Sequence, residues 1–275
     1  MAKTTKKRKV TCGYDRGQHG TWFACAAVCL VLFMVATLSS CAAGSQKRKE
    51  LAENHLNIGT AYVEGGDYTA ALKELLAAEK YTPTNPKIHY YLAVAYFGKG
   101  YSEKAIEECE TAVRLNPDYS SAYNFLGTLY YSRGQYDKAI AAFNSALANI
   151  LYETPEMSLY NMGRAYYSKG DYQRALTKYQ EAALKDTRRE LLPLIEQEMG
   201  KTKYAQADID GAIGNFKKAT ELAPALVESH YWLGECYSKQ KRMSEARRAY
   251  EMVVKLAPGS DFGLKAKQAL KFINI

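Results

Sequence analysis

The chain has 275 residues, of which 47% are hydrophobic and 24% are charged, and its formal net charge at pH 7 is +8. Residues 1–40 hold six of the 37 basic residues and one of the 29 acidic residues, so the remainder is nearly balanced, with 31 basic and 28 acidic residues. This balance argues against nucleic-acid binding, which requires a concentrated basic face.

The first predicted element is a targeting segment. A basic stretch precedes an uncharged, largely apolar stretch from Thr21 to Leu38, which ends in Leu38-Ser39-Ser40-Cys41. This order is typical of a secretory signal. An uncleaved transmembrane helix is the alternative, because the span from Gly17 to Gly44 is long enough for the ~20 residues that a bilayer requires.

The Leu-Ser-Ser-Cys sequence resembles a bacterial lipobox. That resemblance implies a signal peptide over residues 1–40, cleavage before Cys41, and attachment of lipid, including palmitate, to Cys41. Ala42 stands where an Asp would imply retention in the inner membrane. The expected location is therefore the bacterial cell envelope, at the periplasmic face of an outer membrane. Residues 41–51 are expected to form the lipidated cysteine and a short basic tether.

Residues 52–260 repeat one pattern six times, in units that begin at residues 52, 86, 120, 156, 193 and 227. The spacing is 34 residues except after the third and fourth units, where it is 36 and 37. The eighth position of each unit is small: Gly59, Ala93, Gly127, Gly163, Gly200 and Gly234. An alanine follows twelve residues later in every unit, and apolar residues recur at helical spacing.

This pattern resembles the tetratricopeptide repeat, a helix–turn–helix unit. The resemblance implies an all-α, right-handed superhelical solenoid of six repeats, because one unit cannot bury its own apolar face. We expect the extra residues to lengthen the turns around Asn149–Pro155 and Lys185–Pro193. Within residues 261–275, a helix over Asp261–Phe272 is expected to cap the last unit.

No catalytic or metal-binding constellation is predicted, and neither a cofactor nor a small-molecule substrate is expected. His55, His89 and His230 share the fourth position of their units, so their place in the repeat explains them. Cys109 is expected in the core, and Cys236 lies four units away on a first helix, so no disulfide between them is expected. An enzyme would need polar residues that converge in a pocket.

In the tetratricopeptide family, positions 2, 5, 9 and 12 of the first helix line a concave groove. Four consecutive units carry an aromatic residue at position 12. The resemblance implies that a protein segment binds in this groove, through Tyr90, Phe97, Asn124, Tyr131, Tyr160, Arg164, Tyr167, Gln197, Lys201, Tyr204 and Tyr231. The alternative is that the tyrosines only pack between adjacent helices.

One groove chemistry of the family is absent. The carboxylate clamp of chaperone-type repeats needs Lys, Asn and Arg at positions 5 and 9 of its units. The corresponding places here hold Leu56, Thr60, Val94, Asn124 and Thr128. We therefore expect no recognition of a terminal acidic peptide by that clamp.

A lipobox followed by six such repeats resembles the type IV pilus biogenesis lipoproteins, the pilotins of the pilus secretin. This implies an adaptor that binds secretin subunits and assists their assembly in the outer membrane. The alternative is a periplasmic scaffold for cell-wall hydrolases or for an envelope secretion or exopolysaccharide complex.

Overall fold

The computed structural model describes residues 44–273, so the predicted signal peptide and Cys41 lie outside the described part of the chain. Within that part the chain is all α-helical, without strands. The helices are α1 (44–64), α2 (Tyr68–Tyr81), α3 (Pro86–Gly98), α4 (Ser102–Leu115), α5 (Ser120–Ser132), α6 (Tyr136–Ala148), α7 (Pro155–Ser168), α8 (Tyr172–Lys185), α9 (Leu192–Ala205), α10 (Ile209–Leu222), α11 (Val227–Lys239), α12 (Met243–Leu256) and α13 (Asp261–Ile273). None of the helices over residues 44–273 combines the length and hydrophobicity that a membrane crossing requires.

Each repeat is a pair of antiparallel helices joined by a tight turn. Four turns place a glycine at positive φ, between 71° and 82°, where a side chain would be strained: Gly66, Gly100, Gly134 and Gly170. The fifth and sixth turns use Ala207 and Lys241 in the same region, with φ of 63° and 60°. The turn geometry is therefore kept even where the sequence lacks glycine.

Inside each pair, a small residue on the first helix faces a large residue sixteen positions later on the second. A Cβ built on Gly200 would lie 2.7 Å from Cε1 of Phe216, which is fully buried. In the second unit the difference in size is smaller, because the first helix carries Ala93 in place of glycine and the residue opposite is Cys109 in place of leucine or an aromatic residue. This exchange of volume keeps the distance between paired helices similar from unit to unit.

The units stack in chain order through apolar contacts between the second helix of one unit and the first helix of the next. The last helix, α13, packs on α12 and α11, with Phe262 and Ala266 in that contact. It occupies the place predicted for the capping helix. Cys109 is buried, as predicted from its repeat position, and Cys236 is buried as well.

The part of the predicted tether that the structure describes belongs to a helix. Residues 44–51 are helical and extend α1 before the first repeat, and residues 44–50 are exposed. Gln46, Lys47, Arg48 and Lys49 are good helix formers, and the helix that follows supplies the nucleus from which they propagate.

The two longer connections run from the end of α6 to Pro155 and from the end of α8 to Leu192. In the second, the buried Asp186 carboxylate accepts hydrogen bonds from the backbone N–H groups of Glu190 and Leu191, at 3.2 and 2.9 Å. This contact orders the residues that lead into α9.

Replacing Gly200 with alanine tests the small-to-large contact. The added methyl group would overlap the Phe216 ring, which has no space to move, so we expect the free energy of unfolding to fall by about 1–3 kcal/mol. Urea denaturation followed by circular dichroism measures this. Gly214→Ala is the matched control, because a Cβ there meets nothing within 4 Å. It should leave stability unchanged or raise it by up to about 1 kcal/mol. Equal stability of the two variants would contradict the packing argument.

Candidate functional site

The first helices of the units form one continuous surface. Helix α5 contacts α7, α7 contacts α9 and α9 contacts α11, whereas no comparable contact joins second helices within residues 44–273. In a curved stack the elements on the inner side lie closest together. The first helices therefore line the inner side, and positions 5, 9 and 12 of each unit fall along it.

The centre of this groove holds a guanidinium between two tyrosine rings. The Arg164 guanidinium carbon lies 4.9 Å from the ring centroid of Tyr131 and 5.9 Å from that of Tyr160. Tyr131 comes from the third unit, whereas Tyr160 and Arg164 are one helical turn apart on α7. These cation–π contacts hold the side chain in place across the boundary between two units.

The tyrosines at position 12 are partly buried and in contact with polar groups. The hydroxyl groups of Tyr131 and Ser168 lie 3.1 Å apart and link α5 to α7. Tyr167 packs against Tyr172 of its own unit at 5.5 Å between ring centroids, and burial raises its pKa. Tyr131 and Tyr167 therefore keep part of their rings open to the groove while their orientation is constrained.

Aromatic residues continue toward the second unit. Phe97 is 38% exposed and meets Phe125 edge to face at 5.8 Å. Tyr90 is packed against Tyr119 at 5.3 Å, and burial raises its pKa to about 12. Tyr90 therefore fits the alternative that some tyrosines only pack between helices. Phe97, in contrast, leaves part of its ring exposed, where a partner could contact it.

The predicted amides lie between units. Asn124 Oδ1 accepts a hydrogen bond from Ser158 Oγ at 3.0 Å, and Gln197 Oε1 accepts one from Ser229 Oγ at 3.0 Å. Both bonds join position 5 of one unit to position 3 of the next. Gln197 is only 4% exposed, so its amide joins units five and six instead of facing the groove.

Lys201 also has partners within the protein. Its Nζ lies 3.0 Å from Glu198 Oε1 and 3.1 Å from Glu228 Oε1. Burial lowers the pKa of Lys201, but the two carboxylates outweigh it and the net shift is upward. Glu228 further accepts hydrogen bonds from Gln197 Nε2 and Trp232 Nε1. The positive charge of Lys201 is therefore compensated.

The remaining two predicted residues lie at the carboxyl-terminal end of the groove. Tyr204 packs against Trp232 at 5.0 Å and lies under Lys239 Nζ at 4.5 Å. Tyr231 packs against Phe262 of α13 at 5.1 Å, and burial raises its pKa to about 12. Tyr231 thus contributes to the contact with the final helix.

Four residues at this surface were missed by sequence reasoning: Phe125, Glu198, Glu228 and Trp232. Glu228 stands at position 2, which the family pattern assigns to the groove, so its repeat position could have revealed it. The other three stand at position 6, outside that pattern. No sequence signal distinguishes them, because their place depends on the neighbouring unit.

A polar pair joins the two helices in three of the units. His89 Nδ1 lies 2.7 Å from Glu108 Oε2, and the equivalent contacts join His55 to Glu74 at 2.7 Å and Glu196 to Asn215 at 2.6 Å. His89 Nε2 donates to the Pro83 carbonyl oxygen at 2.8 Å. Because both neighbours of the His89 ring are acceptors, the imidazolium form is favoured. Glu108 raises the pKa of His89 against the opposing effect of burial.

Glu79 brings a third potential ligand atom within 4.8 Å of those of His89 and Glu108. Both ring nitrogens of His89 already have hydrogen-bond partners, however, and a His–Glu pair recurs at the same positions in the first unit. The cluster is explained by helix pairing.

Three family models match the chain. They are described as TPR repeat, at residues 59–100, and as tetratricopeptide repeat, at residues 99–158 with 198–261 and at residues 157–188. A sequence comparison with functionally characterised proteins gave no match.

Solved structures resemble the fold at low sequence identity. A structure of PilF from Pseudomonas aeruginosa aligns with a TM-score of 0.70 and 18% identity, over 81% of this chain and 99% of that one. PilW, described as a widely conserved type IV pilus biogenesis factor, aligns with a TM-score of 0.72 and 20% identity, over 78% of this chain and 98% of that one. YrrB, described as a TPR protein with an unusual peptide-binding site, aligns with a TM-score of 0.54 and 19% identity, over 70% and 97%.

The His89–Glu108 contact predicts a pH dependence of stability. Since the pKa of His89 is raised in the folded chain, its stabilising contribution is complete below the unfolded value near 6.5 and is lost as pH rises through the folded value. We expect the wild-type free energy of unfolding, measured by urea denaturation, to fall over this window. His89→Gln should show a smaller fall.

The control for this measurement is His230→Gln. The His230 ring bonds the equivalent Pro224 carbonyl oxygen, but no carboxylate contacts it within the described residues. This variant should keep the wild-type pH dependence. A His89→Gln profile parallel to the wild type would show that the ion pair contributes no pH-dependent stability.

Proposed function

Because the chain belongs to the tetratricopeptide repeat proteins, we propose that it is a membrane-anchored adaptor that binds subunits of a type IV pilus secretin and assists their assembly in the outer membrane. The binding surface in this proposal is the groove from Phe97 to Tyr204. The observation that carries it is the row of partly open aromatic side chains along the first helices, with Arg164 at its centre.

Such a surface fits a peptide segment. Tyr and Arg are enriched among residues that dominate binding energies, because they combine apolar area with directed polar groups. Tyr131 and Tyr167 are already oriented by their neighbours, so little conformational entropy is lost on binding. A partner segment can therefore dock without rearrangement of the repeats.

The pilus assignment is supported by the two pilus-related structures, which align over nearly their whole length with TM-scores of 0.70 and 0.72. Identities of 18% and 20% establish a common fold only. The lipobox-like sequence before Cys41 provides the second, independent support. The lipobox-like sequence supports an envelope location under either alternative, and the likeness of fold to the pilus proteins is what favours pilus assembly over a scaffold for cell-wall enzymes.

In the proposed mechanism, the lipid on Cys41 confines the repeats near the membrane and the groove captures a secretin segment. Confinement raises the effective concentration of captured subunits, which favours ring assembly without any further contact. Several acyl chains hold a protein firmly, whereas a single chain is marginal.

Cys41→Ser tests the anchor. We expect the variant to lose incorporation of labelled fatty acid and to keep the mass of the uncleaved chain, because in the lipobox family the signal is cut only after the cysteine is lipidated. Cys109→Ser is the control, because this cysteine is buried in the core and should carry no lipid. A wild-type protein that carries no labelled fatty acid and has the mass of the uncleaved chain would favour the uncleaved transmembrane helix instead.

Combined replacement of Tyr131 and Tyr167 by alanine tests the groove. Loss of two anchors should weaken binding of purified secretin subunits by at least about tenfold. Secretin multimers in membrane fractions of a complemented deletion strain should fall in parallel. Binding is measured by microscale thermophoresis and multimers by immunoblotting.

A matched pair of alanine replacements at Tyr81 and Tyr101 controls for general loss of tyrosine. These side chains are 37% and 52% exposed and lie outside the first helices of the units. They should leave binding unchanged. Undiminished secretin binding by the groove variant would refute this role for the groove, and binding of cell-wall hydrolases or polysaccharide proteins without secretin would refute the pilus assignment.

A further inference from the structure

Arg164 differs from the other arginines that have defined contacts. Arg133 pairs with Glu103, Arg174 with Asp171 and Arg242 with Glu245. Across residues 44–273, Arg164 has neither an ion pair nor a hydrogen bond, although its side chain is partly buried. Its guanidinium is positioned by the Tyr131 and Tyr160 rings alone.

A stacked guanidinium keeps its donors available. Cation–π contacts use the face of the planar group, whereas its five N–H donors point outward from the edges. The rings of Tyr131 and Tyr160 therefore orient Arg164 but leave its N–H donors free to bind an acceptor. A planar, oriented fork of this kind matches the two oxygens of a carboxylate.

Of the two cations at position 9, Arg164 is the one without an ion-pair partner within residues 44–273. The other cation at position 9, Lys201, is held by Glu198 and Glu228. The remaining position-9 residues are Thr60, Val94, Thr128 and Glu235. The middle of the groove thus presents an unpaired guanidinium beside aromatic rings, where its attraction for a carboxylate is stronger than in bulk water.

We propose that Arg164 binds the side-chain carboxylate of an Asp or Glu within a partner segment whose flanking residues are apolar. This rests on the proposed function of the groove as a protein-binding surface and names the chemistry of its partner. The aromatic surface continues on both sides of Arg164, through Phe97 and Tyr131 on one side and Tyr167 and Tyr204 on the other. A segment that fills it must extend both ways from the acidic residue, so the carboxylate belongs to a side chain and not to a chain terminus.

Peptide selection tests this without any pilus protein. The purified protein is used to select from two random libraries, one displayed internally and one with a free carboxyl terminus. We expect the internal library to yield peptides with Asp or Glu flanked by apolar residues. Fluorescence anisotropy then compares one selected peptide with its amide counterpart, in which Glu is replaced by Gln or Asp by Asn.

Three variants complete the experiment. Arg164→Gln should weaken binding of the acidic peptide about ten- to a hundredfold. It should also abolish the difference in affinity between the acidic peptide and its amide counterpart. Arg164→Glu should select peptides with Lys or Arg at the same place. Arg174→Gln is the matched control, because Arg174 also lies 4.9 Å from a tyrosine ring, that of Tyr166, but is paired with Asp171. It should bind like the wild type.

Several results would overturn the inference. These are selection of peptides without acidic residues, selection only of free carboxyl termini, equal affinity of the Arg164→Gln variant, or no selected peptide at all. Thermal unfolding of each variant confirms that it is folded. Acidic peptides that bind through Arg164, together with no binding of secretin, would refute the proposed pilus function while leaving this inference intact.

Discussion

The contact between a small residue on the first helix and a large residue on the second determines how each repeat is built. Where the small residue is glycine, as at Gly200, an aromatic ring or leucine fills the space beside it, and where it is Ala93, a cysteine does. This complementarity fixes the distance between the paired helices. Stacking then repeats a nearly constant unit, and the curvature of the stack brings the first helices together on one side.

Two positions of the first helices have different tasks along that side. Position 5 holds units together, through tyrosine packing at Tyr90 and Tyr231 and through side-chain hydrogen bonds at Asn124 and Gln197. The side chains at position 12 pack less completely against neighbouring units and leave aromatic surface open. We therefore expect the proposed binding in the groove to depend on Tyr131, Arg164 and Tyr167 more than on the residues that join the units.

Much of the fold could be predicted from the sequence, because repeat spacing specifies helix positions directly. Helices α3, α5 and α11 begin at the predicted unit starts, and α7 and α9 begin one residue before them. The helical extension before residue 52 was not predicted, since residues 44–51 carry no repeat signal and their helicity comes from continuation of α1. The contacts of the groove were less predictable. Repeat position gives the face of a helix but not the distance to the next unit, so the compensation of Lys201 by Glu228 and the burial of Gln197 became visible only in three dimensions.

Site-specific photo-crosslinking in cells tests the central claim, that the inner side of the repeat stack captures a pilus protein. A photoreactive residue replaces Thr128, at position 9 of the third unit, and in a second strain it replaces Gln180, which is exposed on the second helix α8. We expect a secretin adduct from position 128 and none from position 180, identified by mass spectrometry. A secretin adduct from position 180 alone, or adducts to unrelated envelope proteins from position 128, would contradict the account.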